Sequence, residues 1–392
     1  MHLSLLSLAR AALACACILP LAAQAQAAEP AALRALADRA IRPLMAQYGV
    51  PGMAVGITAG GRTMFFNYGL ASTQDGAPVT EHTLFELGSI SKTFAATLAL
   101  YAQAQGKLSL DAHPGAYLPA LKGRPIDQAS LRHLGTYTAG GLPLQFPGEV
   151  EGMAATMAYY GAWQADAAPG TMRRYSNPSI GLLGQATAAA LGQGFGEALE
   201  GQLLPALGLR DTYAVVPPAA MGRYAWGVDA EGKPARMTHA ALNAQTYGIK
   251  SSAADMVRYL QANIDPSRLA GAARRAVEGT HAGYYRVGEM VQGLGWEQYR
   301  PPLSLARLLA GNAAGMILDP NPASPIAAGA ARAPAGTLFN KTGSTRGFGA
   351  YALFVPDRKI GIVLLANKSF PIPARIEAAH ALLEALDRGA GQ

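Results

Sequence analysis

Beyond its leading lysine, the run Lys359 to Ala366 is apolar on both faces, as expected of a strand at the centre of a sheet covered on both sides. Such a strand needs neighbours, and the candidates lie at opposite ends of the chain. Near the start, Met53 to Thr58, a Gly60-Gly61 turn and Thr63 to Tyr68 read as a hairpin. Near the end, Gln292 to Tyr299, Gly336 to Lys341 and Phe348 to Val355 read as strands. Helices flank both groups. Leu33, Leu36, Ile41, Leu44 and Met45 recur at helical spacing up to Gly49 and Pro51, and Pro373 to about Arg388 carries Ile376, Ala379, Leu382, Leu383 and Leu386 along one face. Between these ends, helical patterns run over 91–105, 149–160, 178–191, 195–204 and 252–262. The predicted fold class is α/β (α+β): an antiparallel sheet flanked by helices plus a mostly helical lobe, with the active site between them. The expected organisation is one domain over 29–392, with a sheet lobe of about 29–85 and 285–392 and a helical lobe of about 86–284. Pro320 to Pro334 reads as a loop.

Residues 1–28 stand apart. Arg10 precedes an apolar stretch from Ala11 to Ala23, and Ala23, Ala25 and Ala27 place small residues at alternate positions, the pattern of a secretory signal cut within about 25–28. The stretch is too short to hold the chain in a membrane, so a periplasmic location without stable membrane insertion is expected. Both cysteines, Cys15 and Cys17, fall inside this leader, and the residues before them match a lipoprotein cleavage site poorly. The rest of the chain is then without cysteine and without disulfides. The net charge of +7, less one when Arg10 leaves, comes with no long basic run or basic-aromatic interleaving, which argues against nucleic acid as a partner. The seven histidines, among them His82, His113 and His239, form no pair at metal-ligand spacing, and Gly192 to Gly196 lacks the spacing of a dinucleotide loop. No cofactor or metal is expected, and the chain reads as a monomer.

The chemistry is carried by three short elements. If Ser89-Ile90-Ser91-Lys92 opens a helix, with Ser89 or Ser91 as cap, Ser89 and Lys92 share one face with Cβ atoms about 5–6 Å apart. A lysine whose pKa is lowered by burial can take the proton of a serine and make it a nucleophile. Tyr175-Ser176-Asn177 and Lys341-Thr342-Gly343 follow downstream, completing the three-part set of the serine penicillin-recognising enzymes. Each element alone has a structural reading: a capped helix with a solvated lysine, a helix start capped by Asn177 before Pro178, and a strand end.

Longer stretches carry a more specific likeness. His133 to Gln145 (HLGTYTAGGLPLQ), Tyr224 to Gly227, Gln292 to Trp296 and Leu365 to Lys368 resemble the class C β-lactamases, the AmpC-type cephalosporinases, along nearly all of the chain after the leader. That resemblance implies a β-lactam antibiotic as the binding partner, with Ser89 attacking the lactam carbonyl to form an acyl-enzyme. Lys92, alone or with Tyr175, would accept the serine proton, and Tyr175 would help water attack the ester. Lys341 completes the catalytic set. The backbone N–H groups of Ser89 and Ser344 would form the oxyanion hole. Asn177 and Gln145 would hold the substrate's side-chain amide, Lys341, Thr342 and Arg375 would face its carboxylate, and Gly343 and Ser344 would also contact the substrate. Tyr247 would wall the pocket.

Two departures from the family pattern stand out. Ile372-Pro373-Ala374-Arg375 replaces an Asn-Pro-Ala-Arg pattern, which removes a polar contact, and Arg346 stands where many relatives carry a small or uncharged residue. Arg346 either takes over the lost contact to the carboxylate or is a solvated turn residue. The rival functions are a DD-peptidase or esterase with the same machinery, and a penicillin-binding sensor that stays acylated.

Overall fold

The computed structural model describes residues 19–238, 240–327 and 331–390, so most of the leader, and His239, lie outside the described residues. The chain enters on α1 (Leu19–Tyr48) and a hairpin of β1 (Gly52–Ala59) and β2 (Arg62–Gly69), with Gly60 and Gly61 at positive φ in its turn. Of its helices, α2 (Ser91–Ala104), α3 (Asn177–Leu191) and α4 (Ala253–Ile264) bear on the site. The remaining strands are β3 (Gly283–Val287), β4 (Met290–Gly293), β5 (Glu297–Tyr299), β6 (Ser324–Pro325), β7 (Leu338–Ser344), β8 (Gly349–Val355) and β9 (Ile360–Ala366), followed by α5 (Ile372–Ala390). These form one antiparallel sheet in the order β6-β3-β4-β5-β7-β8-β9-β1-β2.

The expected central strand is β9, and all seven of its residues are buried between β8 and β1. Its side chains alternate between two cores, as the two-residue period of a strand requires. Ile360, Ile362 and Leu364 join Val55, Ile57 and Leu353 beneath α1 and α5, where Ile376, Ala379, Leu382 and Leu383 close the layer. Val363 and Leu365 point the other way, towards α4 and the helical region. Gly56 lets α4 lie flat on the sheet, since a Cβ there would come within 2.6 Å of Val257 Cγ2. Asn367, directly after β9, accepts from the Gly52 amide at 2.7 Å and donates to the carbonyls of Leu70, Ala71 and Trp226. It thereby ties the last strand to the first hairpin.

Several expectations need correction. The helix foreseen over 252–262 forms as α4, yet it packs on β1 and β9 rather than inside the helical lobe of 86–284. Gln292 to Tyr299 is two strands, because Gly295 turns the chain at φ 76° between them. Within the stretch read as a loop, Ser324–Pro325 adds an edge strand to the sheet. Strand β3 was missed: its Gly-Tyr-Tyr-Arg-Val sequence follows helix Gly271–Thr280 with no Gly-Pro or Asn-Gly signal before it. Among the described residues no helix is long and apolar enough to cross a membrane.

Candidate active site

Ser89 lies in a 3-10 turn, Gly88–Ile90, that runs directly into α2. Neither Ser89 nor Ser91 caps that helix: the Ser91 hydroxyl instead accepts from the Ile249 amide at 3.0 Å. Lys92, one residue inside α2, is fully buried. Its Nζ donates to Ser89 Oγ at 2.9 Å and to the Thr246 carbonyl at 2.7 Å. The short helix Asn243–Thr246 thus orients the amine from one side while presenting Tyr247 to the cavity.

Tyr175 stands between the two-residue strand Met172–Arg173 and α3. The cap of α3 is Ser176, whose hydroxyl accepts from Ser179 N at 3.0 Å, and Pro178 suits the first turn. Asn177 is therefore not the cap. It lines the cavity, and its Oδ1 is buried without a hydrogen bond among the described residues. The Tyr175 ring packs on Tyr137 with centroids 4.8 Å apart. Tyr137 has φ 63°, a left-handed backbone that an aromatic residue adopts only when its surroundings compel it.

Strand β7 brings in Lys341, Thr342 and Gly343. Its neighbour β5 places Glu297 opposite Asn340, and Lys341 Nζ donates to Glu297 Oε1 at 3.1 Å, both side chains being buried. Arg173 approaches the same carboxylate at 3.7 Å and is itself held by Gln292 and the Met316 carbonyl. Gly343 abuts the serine turn so closely that a Cβ would lie 1.9 Å from Leu87 O and 3.2 Å from Ser89 N. Conversely, a Cβ on Gly88 would lie 2.3 Å from Ser344 N. Two glycines thus bring the Ser89 and Ser344 amides to one spot.

Charge is distributed unequally over this cluster. Burial, reinforced by the nearby Lys341 cation, brings the Lys92 amine down to about 8, even though Tyr175 acts against it. Burial acts on Lys341 too, but the Glu297 carboxylate outweighs it and holds Lys341 above the ordinary lysine value. The Tyr175 phenol is pushed up by burial, yet Lys341 and Lys92 turn the balance so that it lies below an ordinary tyrosine. Their nitrogens sit 5.0 and 5.2 Å from its ring centroid. One lysine is poised to be neutral and the other stays a cation, the separation of acid and base roles that catalysis at neutral pH needs.

These groups surround a cavity of about 600 Å³. Ser89, Gln145, Tyr175, Asn177, Tyr247, Lys341, Thr342, Gly343, Ser344 and Arg346 all line it. Lys92 lies just beneath, behind Ser89. Arg375 does not reach the cavity. It is 1% exposed and donates to the carbonyls of Gly343 and Phe370 and to Ser344 Oγ, so it braces β7 from behind rather than facing a ligand. Arg346 reaches the rim but is bound to Asp229 at 2.7 Å, with Glu231 at 3.7 Å. Glu297 and Arg173 went unnoticed in the sequence. A charged residue inside an otherwise buried strand candidate was the available signal for Glu297. For Arg173 it was the two-residue spacing from Tyr175.

A model of the Beta-lactamase family matches residues 37–387. A beta-lactamase from Pseudomonas fluorescens is 48% identical over 356 residues, covering 91% of this chain and 99% of that protein. Among solved structures, a beta-lactamase/D-alanine carboxypeptidase from Pseudomonas syringae has a TM-score of 0.88 at 44% identity, covering 90% of this chain and 99% of its own. A class C beta-lactamase in complex with cefoxitin has a TM-score of 0.87 at 43% identity, covering 91% and 99%.

Proposed function

The chain belongs to the beta-lactamase family, within its class C, and on that premise we propose that it hydrolyses the lactam amide of cephalosporins and penicillins through an acyl-enzyme on Ser89. In this reading neutral Lys92 accepts the Ser89 proton as Oγ bonds to the lactam carbonyl carbon. The carbonyl oxygen takes up negative charge against the Ser89 and Ser344 amides, where one such donor supplies about 2.7–4 kcal/mol of barrier lowering. Collapse breaks the C–N bond, and the proton passes through Lys92 or Tyr175 to the departing nitrogen. Tyr175, lowered by the two lysines, then takes a proton from the water that attacks the ester, and as the C–Oγ bond breaks that proton is returned to Ser89 Oγ. Lys341 and Thr342 face the substrate carboxylate, Gln145 and Asn177 its side-chain amide, and Tyr247 its side chain. Arg375 acts on the carboxylate only through the position of β7.

The observation that carries this reading is the 2.9 Å hydrogen bond between Ser89 and a buried lysine brought down to about 8. It is tested by hydrolysis of a chromogenic cephalosporin with mass spectrometry of the mixture, for the wild type and Ser89→Ala. Steady turnover lost in Ser89→Ala is expected. A stoichiometric adduct without turnover would point to a sensor. Because the similar Pseudomonas syringae protein is a beta-lactamase/D-alanine carboxypeptidase, a D-alanyl-D-alanine peptide serves as the competing substrate. We read residues 1–28 as a secretory signal and the mature protein as a periplasmic monomer. A mature mass that retains Cys15 and Cys17 would remove that reading.

A further inference from the structure

Three guanidinium groups line the cavity, and they are not equivalent. Arg173 faces Glu297, and Arg346 is neutralised by Asp229 and Glu231. Arg236 has no carboxylate within ion-pair distance among the described residues; Glu86 and Asp75 act on it only from farther off. Its guanidinium carbon lies over two rings, 4.1 Å from the Tyr224 centroid and 4.0 Å from that of Trp226. Its Nε donates to the Ala225 carbonyl at 3.0 Å and its Nη2 to the Tyr224 carbonyl, while Nη1 makes no hydrogen bond among the described residues. The cation is thus fixed in orientation, with one edge satisfied and the other unpaired, so that little side-chain freedom is lost when an anion docks.

Its place in the cavity decides which anion. The segment carrying Arg236 runs beside the turn after β7: a Cβ on Gly347 would lie 3.0 Å from the Ala235 carbonyl. Lys341 is four residues back from Thr345, roughly 13 Å at strand rise. The segment carrying Arg236 therefore meets the end of that run opposite Lys341, where a substrate carboxylate would rest. Part of the lining is apolar, with Met316, Ile317 and Ile372 among it.

Resting on the hydrolase reading, we propose that Arg236 is an anion subsite for the acyl side chain, selecting β-lactams that carry a second carboxylate there. The test compares benzylpenicillin with its α-carboxy derivative, which differ by that one group. The quantity read is the ratio of the two kcat/KM values and, in a Ser89→Ala background where no turnover is needed, the ratio of the two Kd values by calorimetry. Arg236→Gln is expected to lower the preference for the dianionic penicillin about tenfold, the scale of one charge-assisted hydrogen bond, with Arg236→Lys recovering part of it. In the wild type, raising sodium chloride from about 0.05 to 0.5 M should lower the same ratio by screening. A ratio within about twofold of wild type in Arg236→Gln overturns the subsite. If that variant does not fold, a salt-insensitive wild-type ratio overturns it instead. A wild type that turns over neither penicillin removes the hydrolase reading, while the Kd ratio still decides Arg236.

Discussion

Gly343→Ala concentrates a large effect in one methyl group. The added carbon would sit 1.9 Å from Leu87 O, whereas an ordinary carbon-oxygen contact is about 3.3 Å, so strand and serine turn must part by about 1.4 Å. Leu87 immediately precedes the 3-10 turn that carries Ser89, and the same carbon would press on Ser89 N at 3.2 Å. The displacement therefore falls on the pair of amides proposed to face the developing oxyanion. A 1 Å misplacement, or the loss of one such donor, costs on the order of 10²- to 10³-fold in kcat. Overpacking should lower stability by about 1–3 kcal/mol, which leaves the fold intact at assay temperature. The assay is kcat for a chromogenic cephalosporin well below the melting point, beside Gly161→Ala, a helical position where the new Cβ meets nothing within 4 Å. A folded Gly343→Ala protein with kcat within about tenfold of wild type would refute the reasoning.

Other expectations concern the charges. With neutral Lys92 as the proposed base, kcat/KM should climb as pH rises through about 8; a profile flat from about 6.5 to 9 would contradict it. The same burial costs stability at lower pH, and that cost is relieved as pH rises from about 8 towards the ordinary lysine value near 10.4. Lys341 has the opposite sign: its raised value contributes stability that is complete below about 10.4 and is lost as pH rises through the raised value. Glu297→Gln leaves that buried cation unpaired, costing about 3–5 kcal/mol and moving the alkaline limb of kcat/KM to lower pH; an unmoved limb would argue that Glu297 does not hold the proton on Lys341. Arg375→Met strands the Gly343 and Phe370 carbonyls and should cost about 1–3 kcal/mol in thermal unfolding; a rise in KM for the substrate carboxylate with stability unchanged would return Arg375 to the cavity.

What the sequence made legible followed from periodicity and punctuation. The β1–β2 hairpin, β8, β9, α2, α3 and α5 lie within a residue or two of their expected bounds, because each has strong apolar spacing and a Gly or Pro at an end. Ser89, Lys92, Tyr175 and Lys341 could be named from short motifs and do converge on one cavity wall. What stayed hidden depends on partners that no linear spacing encodes. The Thr246 carbonyl that orients Lys92 is a backbone atom. Glu297 acquires its meaning only from the register that sets it beside Lys341. Arg375 was assigned to the ligand from its position in a motif, whereas burial turned its guanidinium towards the back of β7.

Asn367 and Gly52, joined by a 2.7 Å hydrogen bond, are 315 residues apart in the chain. The first hairpin leaves the ribosome early, but the strand that covers the open edge of β1 is β9, almost the last element made. At about 5–20 residues per second, that edge waits roughly 15 to 60 s for its partner. Through that interval Met53 to Ala59 is an apolar strand with one edge unpaired, of the kind that templates aggregation. Lys341 and the Ser344 amide also arrive in that final part, so a nascent chain carries Ser89 without the second amide of its proposed oxyanion site until synthesis is nearly over. Yield should thus depend on holding the early hairpin apart from other copies until the chain is complete.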